Sequence, residues 1–410
     1  MMATDAQLVE GFDLTALPAR YYADPYPYYR ALRALAPVHR MPSGGYLLTR
    51  HADCVTVYKD ASAFSSDKRV EYGPKYGPTP LFEHHTTSLI FNDPPLHTRV
   101  RRIIAGAFTP RAIAEMEPAV VTLVDNLLDA MARKAKAGMP VDLIADFAAA
   151  SPIEVIGNLL AVPHGERGPL RDWSLAILGA LEPKISPEQL ARGNRAVTEF
   201  LAYLRDLVAR RRATPGDPER DILTRLILGE RGETLSELEL LHNVIFILNA
   251  GHETTTNLIG NGLVALLDWP GEIERLLAEP DLIKTAVEEL LRFESSNQLG
   301  NRMTTRAVTL GGVEMPAGTL ITIGIGAANR DPDVFADPDR LDVGRAPNPH
   351  LAFGTGVHTC AGLAVARLEG RVAVQRFLAR FPAYRLAGPP TRGGRARFRG
   401  FLSVPVALGA

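Results

Sequence analysis

From Leu96 to Leu291 the sequence carries almost no strand pattern, and this constrains the fold most. Apolar residues recur there at helical spacing. One periodic segment opens at Pro110 and reaches Lys136; others cover 152–161, 168–181, 187–212 and 221–228. The longest runs over 236–268, where Ser236-Glu237-Leu238-Glu239 supplies a cap residue followed by first-turn acids. A further helix follows Pro280 to Arg292. Strand signals lie only outside this block. Residues 38–40 and 46–49 form a hairpin through Pro42-Ser43-Gly44-Gly45, and strands are expected over 304–310 and 319–325. Short helices are expected over 28–35 and 51–59. Residues 65–95 show no period and hold Tyr72, Tyr76, Phe82, His84 and His85 among prolines and glycines. They read as a long loop of the functional kind. The expected class is mainly α: one domain over 1–410, with a small β-rich region made by both ends of the chain.

Composition narrows the function. The 410 residues are 46% hydrophobic and 22% charged, with a formal net charge of −1, so no global basic field points to nucleic acid. The opening MMATDAQLVEGFDLTALPAR lacks a basic start with an apolar core, and no apolar run is long enough to span a bilayer. The two cysteines, Cys54 and Cys360, are expected as free thiols in a cytoplasmic protein.

Four stretches carry chemistry. Phe353-Gly354-Thr355-Gly356-Val357-His358-Thr359-Cys360-Ala361-Gly362 is a glycine-loosened loop leading into a helical run. A helix N-terminus favours thiolate at Cys360, and a lone thiolate on a rigid loop is one way to hold haem iron axially. Asn249-Ala250-Gly251-His252-Glu253-Thr254-Thr255-Thr256 breaks the best helical pattern with poor helix formers. Glycine there admits close approach of a flat ligand, and an acid beside a hydroxyl suits proton delivery. A crowded helix crossing explains the same glycine. Glu289-Leu290-Leu291-Arg292 sets opposite charges three apart, usually a structural pair. His97 and Arg101, one turn apart, suit an anion or a solvated basic face equally.

Taken in order, His-x-x-x-Arg, Ala-Gly-His-Glu-Thr-Thr, Glu-x-x-Arg and Phe-Gly-x-Gly-x-His-x-Cys-x-Gly resemble a cytochrome P-450 of the soluble bacterial type. Ala328-Asn329-Arg330-Asp331-Pro332 and Phe335-Ala336-Asp337-Pro338-Asp339-Arg340 extend the resemblance over nearly the whole chain. It implies the P-450 fold, with haem b between the long central helix and the cysteine-loop helix. It makes Cys360 the axial thiolate and packs Phe353 against its loop. His97, Arg101, Arg302 and His358 meet the propionates, and Glu253 with Thr254 forms the proton-delivery pair. Glu289 and Arg292 anchor the frame with a third arginine, Arg340 or Arg345. The implied reaction is monooxygenation (hydroxylation or O-dealkylation) by a monomer, with electrons from a ferredoxin and its reductase. Arg99, Arg102, Arg367 and Arg371 are candidates for a basic docking face.

The resemblance also assigns a substrate pocket: Phe246, Asn249, Ala250, Asn297, Gln298, Leu299, Phe401 and Leu402. Many relatives carry proline near Ser296, where this chain has Ser295-Ser296-Asn297. Amides at Asn249, Asn297 and Gln298 are costly to bury unpartnered, which points to a small hydrophobic substrate with polar handles, an oxygenated aromatic or a terpenoid. The alternatives are a peroxide-using haem-thiolate enzyme, a haem-thiolate isomerase or dehydratase, and a non-catalytic haem carrier or sensor. A cysteine hydrolase lacks any His/Asn partnership to Cys360.

Overall fold

The computed structural model describes residues 4–409 apart from 107, 220 and 231. The helices that build the site are, in chain order, α1 (Tyr26–Leu35), α2 (His51–Lys59), α3 (Arg69–Tyr76), α4 (Pro80–Thr87), α5 (Leu96–Ala105), α6 (Pro110–Lys136), α7 (Ala150–Leu159), α8 (Leu170–Gly179), α9 (Pro187–Ala213), α10 (Glu237–Leu267), α11 (Ile283–Phe293) and α12 (Leu363–Arg380). The strands of the largest sheet are β1 (Val38–Arg40), β2 (Tyr46–Leu48), β3 (Phe64–Ser65), β4 (Leu299–Thr304) and β5 (Leu320–Gly324).

The long helices begin where the sequence supplies caps. Thr109, Ser186 and Ser236 each accept a hydrogen bond from the amide three residues on, and the last two close full capping boxes with Gln189 and Glu239. Each such cap contributes about 1 kcal/mol. α10 spans 31 residues and is buried over most of its circumference. It packs against α4, α7, α8, α9, α11 and α12, so it is the axis of the helical layer. Helices sunk on all sides lose a one-sided apolar stripe, and here even polar residues such as Asn243, Asn249 and Asn261 are buried.

The sheet order is β1-β2-β5-β4-β3, with β2 and β5 parallel and the other pairs antiparallel. It joins residues 38–65 to residues 299–324, so the small β region does come from the two flanks of the helical block. The expected strand over 304–310 is divided: β4 ends at Thr304, and a separate strand begins at Val308. The chain leaves β4 where the Thr305 amide turns to the Ala63 carbonyl.

The reading of 65–95 as a loop is corrected. It folds into α3, α4 and a short turn of 3-10 helix at Leu89–Phe91. α3 carries Pro74 inside it and each helix has only eight residues, too few for a period to register. Their stability comes from tertiary burial of Tyr72, Tyr76, Leu81, His84 and His85.

Candidate active site

The cysteine loop is shaped by two glycines in the left-handed region, Gly354 (φ +62°) and Gly356 (φ +75°). A Cβ on Gly356 would lie 2.4 Å from the Tyr58 carbonyl oxygen, so only glycine lets the loop seat on α2. The Cys360 amide donates to the Phe353 carbonyl at 2.9 Å and closes the loop. Arg367 of α12 stacks over the Phe353 ring, 5.0 Å from its centroid. The thiol is less acidic than the sequence suggested. Burial pushes its pKa up, and the Gly362 amide, Arg101 and Arg367 pull the other way without prevailing. α12 begins only at Leu363, and desolvation outweighs what its terminus offers. Cys54 is also a free thiol, fully buried in a separate apolar cluster.

A basic cluster lies beside this loop. The His97 and His358 rings sit 4.1 Å apart between centroids. Burial, then Arg302, His97, Arg101 and Lys68, hold the His358 imidazole down at about 2. Arg302 lies over the Tyr58 ring at 5.4 Å and donates to the Asn301 carbonyl at 2.7 Å. Among the described residues, both ring nitrogens of His97 and Nε2 of His358 have no hydrogen-bond partner. Crowded donors of one sign with empty valences mark the place of an anion. Lys68, which sequence reasoning missed, joins this group electrostatically while its ammonium donates to Glu71 at 2.8 Å.

The middle of α10 faces the same cavity, which Asn249, Ala250, Gly251, Thr254 and Thr255 line together with Cys360. The Thr254 hydroxyl donates to the Ala250 carbonyl at 2.7 Å. Glu253 does not line the cavity. Its carboxylate accepts from Arg395 at 3.1 Å, and burial raises its pKa against the pull of Arg395 and Asn257. Glu253 and Thr254, consecutive on α10, point about 100° apart, so only the hydroxyl borders the cavity while the acid turns to Arg395. Gly251 serves packing: a Cβ there would meet Ile156 of α7 at 3.2 Å, the crowded crossing weighed against the ligand reading.

The Glu289–Arg292 pair forms a closed network with no exposure on either side chain. Arg292 donates to both Glu289 oxygens at 2.7 Å and to the carbonyls of Asn329, Pro338 and Arg340. Glu289 also accepts from Arg345 Nε at 3.1 Å, the Asp342 amide at 3.0 Å and Asn348 at 3.1 Å. Arg345 is thus the third arginine; Arg340 contributes only its carbonyl.

The model of the family described as "Cytochrome P450" matches residues 181–384. The biotin biosynthesis cytochrome P450 of Bacillus subtilis (strain 168) is 34% identical over 90% of this chain and 92% of its own length. The chain is a cytochrome P450. The vitamin D(3) 25-hydroxylase of Pseudonocardia autotrophica is 38% identical over 90% of this chain and 89% of that one. The solved structure of P450BioI in complex with acyl carrier protein ligated to hexadec-9Z-enoic acid superposes with a TM-score of 0.88. It is 33% identical, covering 95% of this chain and 100% of that one. The protein is accordingly a haem-thiolate monooxygenase.

Cytochromes P450 bind haem b, and the donor set here fits it. A single thiol borders the cavity, and the adjoining cluster of His97, Arg101, Arg302 and His358 leaves ring nitrogens of both histidines unfilled and able to meet haem carboxylates. Of the P450 pocket positions assigned from sequence, Phe246, Asn249, Ala250, Asn297 and Leu299 line the cavity. Gln298, Phe401 and Leu402 do not. Gln298 turns to the Ser295 carbonyl at 2.8 Å, Phe401 is buried beneath Arg392 at 3.9 Å, and Leu402 is exposed. Phe398 lines the wall instead, as do Tyr72, His85 and Phe91 from the 65–95 segment and Ile177 and Leu178 near the end of α8. The aromatics and histidines crowding 65–95 were the available signal.

Three of the four arginines named for a basic docking face are engaged in ion pairs. Arg99 pairs with Glu239, Arg102 with Glu233 and Arg367 with Glu288, and Arg371 has its Nε buried. Among the described residues no helix is long and apolar enough to cross a membrane.

Proposed function

We propose that this P450 oxidises a small, largely apolar organic substrate by hydroxylation or O-dealkylation, with electrons delivered by a ferredoxin and its reductase. The observation that carries the reading is that Cys360, the basic cluster and Thr254 all border one cavity. Cys360 would hold the haem iron through its thiolate, and His97, Arg101, Arg302 and His358 would hold the propionates, with Phe353 packed on the cysteine loop. When bound, the haem supplies dioxygen activation, favoured by the electron-rich thiolate. A bound metal would favour the Cys360 thiolate, opposing the burial that raises the pKa of the free thiol.

Thr254 presents its hydroxyl to the cavity and orients it by donating to Ala250. Glu253 supplies protons only after leaving Arg395, so the ion pair holds the acid in reserve. Phe246, Ala250, Asn297 and Leu299 shape the space for the substrate. The vitamin D(3) hydroxylase supports a substrate of this kind, uncharged and mostly hydrocarbon. Of the arginines named for ferredoxin docking, Arg99, Arg102 and Arg367 each already pair with a glutamate, which reduces the free positive charge on that face.

A peroxide-driven reaction is the second reading, favoured by the position of Glu253 away from the cavity. The test is spectroscopic, then kinetic. The reduced, carbon-monoxide-bound protein is expected to show the red-shifted Soret band of a thiolate ligand, and Cys360→Ser to lose it. Turnover with a ferredoxin pair should exceed turnover with hydrogen peroxide and fall at least tenfold in Glu253→Gln. Faster peroxide turnover, insensitive to Glu253→Gln, selects the second reading.

A further inference from the structure

Among the described residues, six side chains lining the cavity carry buried polar atoms with no hydrogen-bond partner: His97 and His358 belong to the basic cluster, Glu369 leaves only Oε2 open, and His85, Asn249 and Ser296 remain. His85 is 1% exposed, Asn249 2% and Ser296 5%, and all three line the cavity. Both ring nitrogens of His85, both amide atoms of Asn249 and Oγ of Ser296 lack a hydrogen-bond partner. They come from separate elements, α4, α10 and the segment after α11, so the pattern is not one misplaced helix face. His84, beside His85, is by contrast occupied by His242 and Ser88, each at 3.3 Å. A buried donor or acceptor left empty is paid for in stability unless a ligand fills it.

The charges bordering the cavity are committed elsewhere. Lys68 donates to Glu71, and Arg397 donates to the carbonyls of Leu181 and Leu299 and to Asn301 Oδ1. Arg101 and Arg302 belong to the cluster assigned above to the haem propionates. His85 is itself neutral: burial first, then the charges of Lys75 and Arg397, hold its imidazole down at about 3. A carboxylate entering beside His85 or Asn249 meets dipoles but no available cation, and loses its hydration without replacement. A hydroxyl or carbonyl finds both donors and acceptors.

We propose that His85, Asn249 and Ser296 form an uncharged hydrogen-bonding subsite that selects neutral substrates bearing hydroxyl or carbonyl groups and rejects carboxylates. This rests on the monooxygenase reading of the cavity and names its substrate class.

The test uses a chain-matched pair of probes, 1-dodecanol and dodecanoate, titrated into the holoenzyme at pH 7.5 by calorimetry. The alcohol is expected to bind at least tenfold more tightly. Asn249→Leu and His85→Phe should each shrink that ratio at least threefold. Dodecanoate binding as tightly as the alcohol overturns the proposal without any variant, and a ratio unchanged in both variants overturns the assignment of residues. The reduced, carbon-monoxide-bound spectrum is recorded on the same samples. A missing thiolate band would overturn the role of Cys360, while the heat of binding still decides the subsite.

Discussion

Two regions of this P450 bury polar groups, and they treat them in opposite ways. Around Glu289, every buried donor has an acceptor: Arg292, Arg345, Asn348 and the Asp342 amide converge on one carboxylate. Around the cavity, His85, Asn249 and Ser296 converge on nothing. Burial alone does not separate them, since Glu289 and Asn249 are both nearly inaccessible. Hydrogen-bond closure does. A saturated network is finished when the chain folds and acts as frame; an open one is completed only by something that binds.

The sharpest way to break this comparison is to remove one partner from the closed network. Arg292→Met leaves Glu289 charged and buried with Arg345 alone, and should cost about 3–5 kcal/mol in urea unfolding. A loss below about 1 kcal/mol would mean the network is not the frame. The same lesion in the open region should do the reverse.

Next in size is a pH effect from Glu288, a frame residue bound to His350 and Arg367. Burial would raise its pKa, but those hydrogen bonds and charges outweigh it and hold the carboxyl at about 2. Because the folded pKa is depressed, its stabilisation is complete above the ordinary glutamate range and is lost as pH falls from there through about 2. His350 is buried but solvent reaches Glu288 and Arg367, so the contribution is discounted to about 1–2 kcal/mol. Glu288→Gln should flatten the acid limb of a stability–pH curve over that window and leave it unchanged at lower pH.

The smallest effect sharpens the contrast from the other side. Asn249→Leu removes an amide that has no partner to lose, so unfolding should shift by no more than about 1 kcal/mol, in the stabilising direction. A marked destabilisation would show that Asn249 belongs to the frame after all.

Much of the helical layer was legible because its signals are local. A small hydroxyl residue at the cap marks the starts of α6, α9 and α10, with proline next in the first two and Gln189 or Glu239 three positions on in the last two. α3 and α4 escaped because eight-residue helices, one containing Pro74, are stable only through what they bury. The site divides the same way. Spacing within one segment carried Cys360, the His97–Arg101 turn and the Glu289–Arg292 pair. The direction of Glu253, the preference for Arg345 over Arg340 and the withdrawal of Phe401 from the cavity depend on partners brought in from elsewhere, Arg395, Glu289 and Arg392.

The amino-acid order by itself therefore determined the family, the thiol that defines its chemistry and the long helices that carry it, since motif spacing and caps act within a few residues. Only the tertiary structure decided which buried polar groups are spent and which are open. A hydrogen bond is made or missing according to what another part of the chain brings within about 3 Å, and no local pattern encodes that.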